Sequence, residues 1–231
     1  MRMKFNSTGE QLIQELVANP TRFTKEGKGL ELLREYFEGF SLETLRPLLS
    51  NSDLKVRKEA VAILSELGTQ GCDLLDAVVL LVNDLDLSIK YDALECIMVC
   101  SVGQNAGEFL HVLRSMESNV EVLRILAMRL SSNADPLQLQ AAFQGLETFD
   151  FKEDIHKKGL ITLLNSDFLD TKEILSMIDD NEALTRKYGA ITAKRLFGKY
   201  PELIRYALLS KDSDVQKFAK DFIDLQKKNN I

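Results

Sequence analysis

The chain has 231 residues, 45% hydrophobic and 28% charged, with only four prolines and twelve glycines, a composition that favours helix over strand in a globular chain. Its formal net charge of −6 argues against a nucleic-acid binder, which gathers positive charge for phosphate contacts. The longest near-apolar run, Leu74–Val82, is too short to span a bilayer, so no membrane association is expected. Three cysteines (Cys72, Cys96 and Cys100) make no disulfide framework, and the start lacks the apolar region of a secretory signal. Both features place the chain in a reducing cytoplasm.

Residues 1–40 predict two capping helices. Thr8 with Gln11 reads as a capping box before "EQLIQELVA", and "GLELLREYF" runs to Gly39. "EGKG" at 26–29 lacks the rest of a phosphate loop and reads as a turn. Ser41 then caps "LETLRPLLS", whose leucines form a stripe and whose Pro47 should kink the helix or confine its first turn. Asp53 caps the next helix, in which Val56, Ala60, Ile63, Leu64 and Leu67 share one face. Gly68 ends it in the left-handed conformation.

Thirty-three residues on, the phrase "DLKVRKEA" of Asp53–Ala60 returns as "DLSIKYDA", Asp86–Ala93. Near the C-terminus it returns as "DSDVQKFA", Asp212–Ala219. Between them "GEFLHVLRSM" and "NVEVLRILAMRLS" form another pair, capped at Asn119. Asp135 with Pro136, Asp150 with Glu153 and Asp170 with Glu173 open further helices. "RKYGAITAKRLF" echoes the second helix of a pair, with Ala190 in the place of Ala93. The period of 30–35 residues is that of helical repeats, in which each hairpin covers a flank its neighbour cannot bury and contacts run only between neighbours. Ala60, Ala93, Ala127, Ala190 and Ala219 then mark where helices approach closely.

"NSDLKVRKEAVAILSELG" resembles the second helix of a HEAT repeat, with its Asp, Val-Arg, Ala and Leu-Gly landmarks. The resemblance implies an all-α fold, a right-handed α-solenoid of antiparallel helix pairs in one domain over 1–231. Regular repeats fall at 41–132, divergent ones at 133–179 and C-terminal ones at 180–231. It implies second helices on the concave side and no reaction.

Catalytic chemistry finds little footing. Cys96 and Cys100 are spaced i,i+4, but no His completes a metal set, and both read as small core residues. His111 reads as a packing or surface residue, and His156, beside Lys157 and Lys158, as part of a solvated face. Most carboxylates at helix starts are caps. No cofactor, metal or catalytic residue is expected, and the chain is read as not an enzyme.

The positions opposite the buried stripe are more informative. They are Lys58, Ala62 and Ser65, then Tyr91, Glu95 and Met98, then Ile125, Arg129 and Ser132. Either this is a partner-binding ridge, rich in aromatic, Met and Arg residues, or the helices are rotated and these side chains are half-buried. Lys58, Ser65, Tyr91, Glu95, Met98, Ile125 and Arg129 are the candidate partner-binding residues. The function expected is protein binding by an extended face. "GLELLREYFEGFSLETLRPLLS" is similar to small bacterial HEAT-like proteins of toxin systems, which implies an immunity protein (an antitoxin) that neutralises a cognate, basic toxin domain. The alternative is a HEAT-like enzyme of the DNA glycosylase type, against which the net charge and the absence of Trp both weigh.

Overall fold

The computed structural model describes residues 8–146 and 153–229. The protein is all-α, and among the described residues there is no strand. The chain divides into two compact units, Met1–Cys100 and Ser101–Ile231. The first holds α1 (Thr8–Ala18), α2 (Pro20–Lys25), α3 (Lys28–Phe37), α4 (Arg46–Leu49), α5 (Leu54–Glu66), α6 (Leu75–Leu81) and α7 (Leu87–Cys100). The second holds α8 (Leu110–Arg114), α9 (Glu121–Ser131), α10 (Pro136–Gly145), α11 (Glu153–Leu164), α12 (Thr171–Ile178), α13 (Ala183–Arg195), α14 (Pro201–Ala207) and α15 (Ser213–Asn229).

The repeated phrase builds a repeated turn, and the turn starts two residues before the phrase does. Asn51 accepts from the Asp53 N–H at 2.8 Å, Asp84 from Asp86 at 2.9 Å, and Ser118 from Val120 at 3.1 Å. Asp180 accepts from Glu182 at 2.7 Å and Ser210 from Asp212 at 3.3 Å. Six residues after four of these acceptors, a long side chain reaches back. Arg57 donates to the Asn51 carbonyl at 2.8 Å, Arg124 to Ser118 at 2.9 Å, Arg186 to Asp180 at 2.9 Å, and Gln216 to Ser210 at 2.7 Å. Lys90 holds this position after the Asp84 turn. These four turns are thereby closed from both ends, and the carbonyl at the start of each is satisfied.

The guanidinium groups do a second job. Arg57 also binds Asp84, at 2.9 Å, and so ties its own turn to the next one along the chain. Arg186 binds Asp212 in the same way, at 3.1 and 3.2 Å. A planar fork with five donors can serve a carbonyl and a carboxylate together. Arg124 departs from the pattern. Its acid is Asp214, at 2.6 and 3.0 Å, ninety residues on and at the start of α15, and Lys187 joins the same carboxylate at 3.1 Å. In the second unit, then, α9 packs on α13 and α15. This corrects the expectation that contacts run only between neighbouring hairpins. Burial pushes the Asp214 carboxyl up, but the bonds from Arg124 and Lys187 outweigh burial and hold it below its usual value.

The turn also resets the register of the phrase. Counting seven from each capping position gives Ala60, Ala93, Ala127, Gly189 and Ala219. The alanines are fully buried. Gly189, and not Ala190, is the equivalent in α13, because a Cβ on Gly189 would sit 2.9 Å from both the Ile178 nitrogen and the Met177 Cβ. The cap of α9 is Val120 rather than Asn119; valine offers no side-chain acceptor to the helix, and Ser118 accepts from the Val120 N–H as in the other turns.

Several local expectations hold. Asp53 accepts from the Lys55 N–H at 2.8 Å, and Asp86 accepts from Ser88 and Ile89. Asp135 with Gln138 and Asp170 with Glu173 form capping boxes, and Gly68 takes φ +56°. Pro47 breaks its segment into a 3-10 turn at Leu42–Thr44 and the short α4. Thr8 is the first residue of α1 rather than its cap. The Asp150 capping box lies outside the described residues.

Cys72 and Cys100 are joined in a disulfide, with Cα atoms 5.0 Å apart. This corrects the reading of all three cysteines as free. The bond ties the 3-10 segment Gly68–Leu74 to the end of α7. Cys96 stays free and buried, and burial, with Asp92 and Glu95 nearby, pushes its thiol up to about 12.

Two outcomes are expected. Arg57→Ala removes the staple and strands the Asp84 side chain, which is only 8% exposed. Denaturant unfolding should show a loss of about 3 kcal/mol at pH 7. Burial pushes the Asp84 carboxyl up, yet the Arg57 guanidinium and the Asp86 N–H together hold it below its usual value. The pair's contribution is therefore full above the unfolded carboxyl pKa of about 3.9 and fades as pH drops through the lower folded value. Separately, Cys72→Ser should destabilise by roughly 3–4 kcal/mol, from loop entropy alone. Thiol counting on the unfolded, unreduced wild type should find one free sulfhydryl.

Candidate functional site

On the first unit, α2, α5 and α7 together border a cleft of about 500 Å³. The helical period explains its lining. Thr21 and Lys25 are one turn apart on α2, and Lys55, Lys58 or Glu59, and Ala62 are spaced i, i+3/4, i+7 on α5. Ser88 and Asp92 are one turn apart at the start of α7. The buried stripe of α5 (Val56, Ala60, Ile63 and Leu64) faces the core, so these polar residues are what remains outside.

The side chains that line it are cross-linked. Lys55 donates to the Thr21 hydroxyl at 2.6 Å, and Thr24 donates to Glu59 at 2.7 Å, both across the α2–α5 boundary. Lys58 pairs with Asp86 at 2.8 Å. The Lys58 bond, ahead of burial and of the Ser88 hydroxyl and backbone donors, holds the Asp86 carboxyl down at about 2. Asp92 is shifted the other way. Burial, then the Glu95, Glu66 and Asp86 carboxylates, hold it above its usual range, and Lys58 only partly offsets them. The cleft is thus lined by Lys25 of α2, by Lys55, Lys58 and Glu59 of α5, and by Asp92 of α7.

The structure brings five of the seven predicted residues onto two adjacent helices. Lys58 and Ser65 are on α5, and Tyr91, Glu95 and Met98 are on α7; all five are half-buried. Ser65 donates to the Ala62 carbonyl at 2.8 Å, a helical back-bond that reduces what it can offer a partner. Ile125, half-buried, and Arg129, exposed, lie on α9 of the second unit. Ser132 is 6% exposed and donates to the Arg129 carbonyl, so it is not on a ridge. Sequence reasoning missed Thr21, Lys25, Lys55 and Asp92. The signal for Lys55 was its place one turn before Lys58; nothing local marked α2 as its neighbour.

The other candidate groups are structural. His156 is fully buried, not solvated as its lysine neighbours suggest. Its Nδ1 is 2.7 Å from the Tyr188 hydroxyl and its Nε2 is 3.2 Å from Glu117. Gly159 makes room for the Tyr188 ring, which is why a large aromatic can enter that core. His111 is half-buried beside Glu108, and burial pulls its imidazole below its usual value. Among the described residues no group of three or more His, Cys, Asp or Glu could hold a metal ion. No helix there is long and apolar enough to cross a membrane.

No family model and no curated protein matches the chain. Among solved structures, one described as the crystal structure of an engineered protein from the Northeast Structural Genomics Consortium is similar over 93% of this chain and 94% of its own, with 16% identity and a TM-score of 0.53. At that identity the likeness shows a shared fold and nothing of function.

The Asp92 carboxyl generates a signed prediction. Its folded pKa is raised, so the folded state holds the proton more tightly, and ionisation at neutral pH costs stability. Asp92→Asn should therefore raise the melting temperature at pH 7. The gain should shrink as pH falls through the raised folded pKa, where the wild-type carboxyl takes up its proton. Thermal scans from pH 4 to 8 measure it.

Proposed function

We propose that the chain is a non-catalytic, HEAT-like protein-binding module whose docking face is the outer side of α5 and α7. The observation that carries this reading is that Lys58, Tyr91, Glu95 and Met98 lie half-buried on the adjacent helices α5 and α7, with Lys58 lining the cleft. Tyr and Met supply contact area at low conformational cost, and mixed charge supplies register. The crowded carboxylates Asp92, Glu95, Glu66 and Asp86 favour a partner that brings positive charge. A basic toxin domain is such a partner, and an immunity protein acting by occlusion is the form of this function we favour.

The test is calorimetric titration with the purified product of the neighbouring gene. Tyr91→Ala and Glu95→Lys should each weaken binding by tenfold or more, about 1.4 kcal/mol. Glu121→Lys, on the exposed side of α9, should leave affinity unchanged. Absence of binding, or wild-type affinity in both variants, would remove this reading.

A further inference from the structure

The last turn of α13 carries a lysine with neutral acceptors and no acid. We propose that Lys194 is a covalent modification site, an amine that takes up carbon dioxide as a carbamate. Lys194 is half-buried. Its Nζ lies 2.5 Å from the Ser132 Oγ and 2.7 Å from the Asn133 Oδ1, both just past the end of α9. The Ser132 hydroxyl gives its own hydrogen to the Arg129 carbonyl at 2.6 Å, so it accepts from Lys194. Two acceptors need two N–H groups, which is what a neutral amine has. The third N–H of an ammonium has only the ring of Phe222 in α15, whose centroid is 5.7 Å from Nζ. Among the described residues no carboxylate pairs with Lys194, whereas Lys28, Lys58, Lys187 and Lys217 each have one.

The charges around it are of its own sign. Lys194 and Arg195 reach the same short segment, since Arg195 donates to the Ala134 carbonyl at 2.7 Å. Burial, then Arg195, then Arg129 of α9, pull the Lys194 ammonium down to about 8. From α15 it meets only the Phe222 ring, and among the described residues no carboxylate offsets the two guanidiniums. About half of the side chain is therefore a neutral, nucleophilic amine at pH 8, where an ordinary lysine is almost wholly protonated. The same guanidiniums select the electrophile. A Schiff base, once protonated, keeps the charge that they repel, and an amide from an acyl donor is neutral. Carbon dioxide reverses the sign. The nitrogen lone pair attacks its carbon, one C=O electron pair moves onto oxygen, and the proton lost from nitrogen goes to solvent, giving R–NH–COO⁻ and H⁺. Arg195 forms no ion pair among the described residues, so its remaining N–H groups can serve a carbamate oxygen in a charge-assisted bond. The carbamate keeps one N–H for Ser132 or Asn133.

The test uses the full chain at pH 8 with bicarbonate enriched in carbon-13, which supplies the carbon dioxide, and reads carbamate carbons by NMR. A free α-amino group, which ionises near pH 8 at about its ordinary value, gives its own resonance in every variant. Wild type should show a further carbamate resonance that Lys194→Arg lacks, and Lys220→Arg, at an exposed position of α15, should keep it. Trapping the wild-type adduct by alkylation with triethyloxonium, followed by peptide mass mapping, should place it on Lys194, a readout that needs no variant. Arg195→Gln, which keeps a donor for the Ala134 carbonyl, should lower the occupancy severalfold at the same carbon dioxide concentration. No resonance dependent on Lys194, an adduct mapped to other side chains in its place, or undiminished occupancy in Arg195→Gln would each overturn the proposal.

Discussion

The fold depends on how a turn between two helices is closed. A short polar side chain accepts the N–H of the capping residue, and a long donor six residues on returns to the carbonyl at the start of the turn. Where that donor is arginine, its remaining N–H groups reach a carboxylate in another turn. Arg57 with Asp84, and Arg186 with Asp212, bind one hairpin to the next without using apolar surface. Burying such pairs is costly unless every donor is used, and here the carbonyls take up what the carboxylate leaves. Variation at the position follows the same chemistry. Gln216, in the last helix, closes its turn but has no charge to offer a following one.

The packing of the helices follows from that closure. Fixing the turn fixes which residue falls seven positions after the cap, and this residue faces the tightest approach between helices. Alanine meets the requirement in four helices and glycine in α13, where backbone lies on the other side. Arg124 shows that the arginine selects a carboxylate by position in space and not by order in the chain. Its bond to Asp214 brings α9 and α15 together, and Lys187 shares the same acid.

The proposed docking face and the cleft are made from positions outside this scheme. The turn residues and the seventh positions are committed to the fold. Tyr91, Glu95, Met98, Lys55 and Asp92 lie outside both sets of positions. Asp92 is held among like charges where a neutral residue would be more comfortable. Residues whose electrostatics oppose stability are characteristic of binding sites, because a partner's opposite charge relieves them. Cations of α2 and α5 and carboxylates of α5 and α7 thus line one cleft.

Local chemistry was legible in the chain before folding. The caps at Asp53, Asp86, Asp135 and Asp170, the stop at Gly68, the buried alanines and the all-α class all rest on interactions within a few residues, so their spacing states them directly. The outer positions of α5 and α7 were legible for the same reason: a helix that buries one stripe must show another. Tertiary structure alone decided the rest. It buried His156 against Tyr188, paired Cys72 with Cys100, moved the close approach to Gly189, and carried Thr21 and Lys25 to Lys55. Each of these joins residues far apart in sequence or depends on a neighbouring helix, and no periodicity within one helix encodes what will lie across from it.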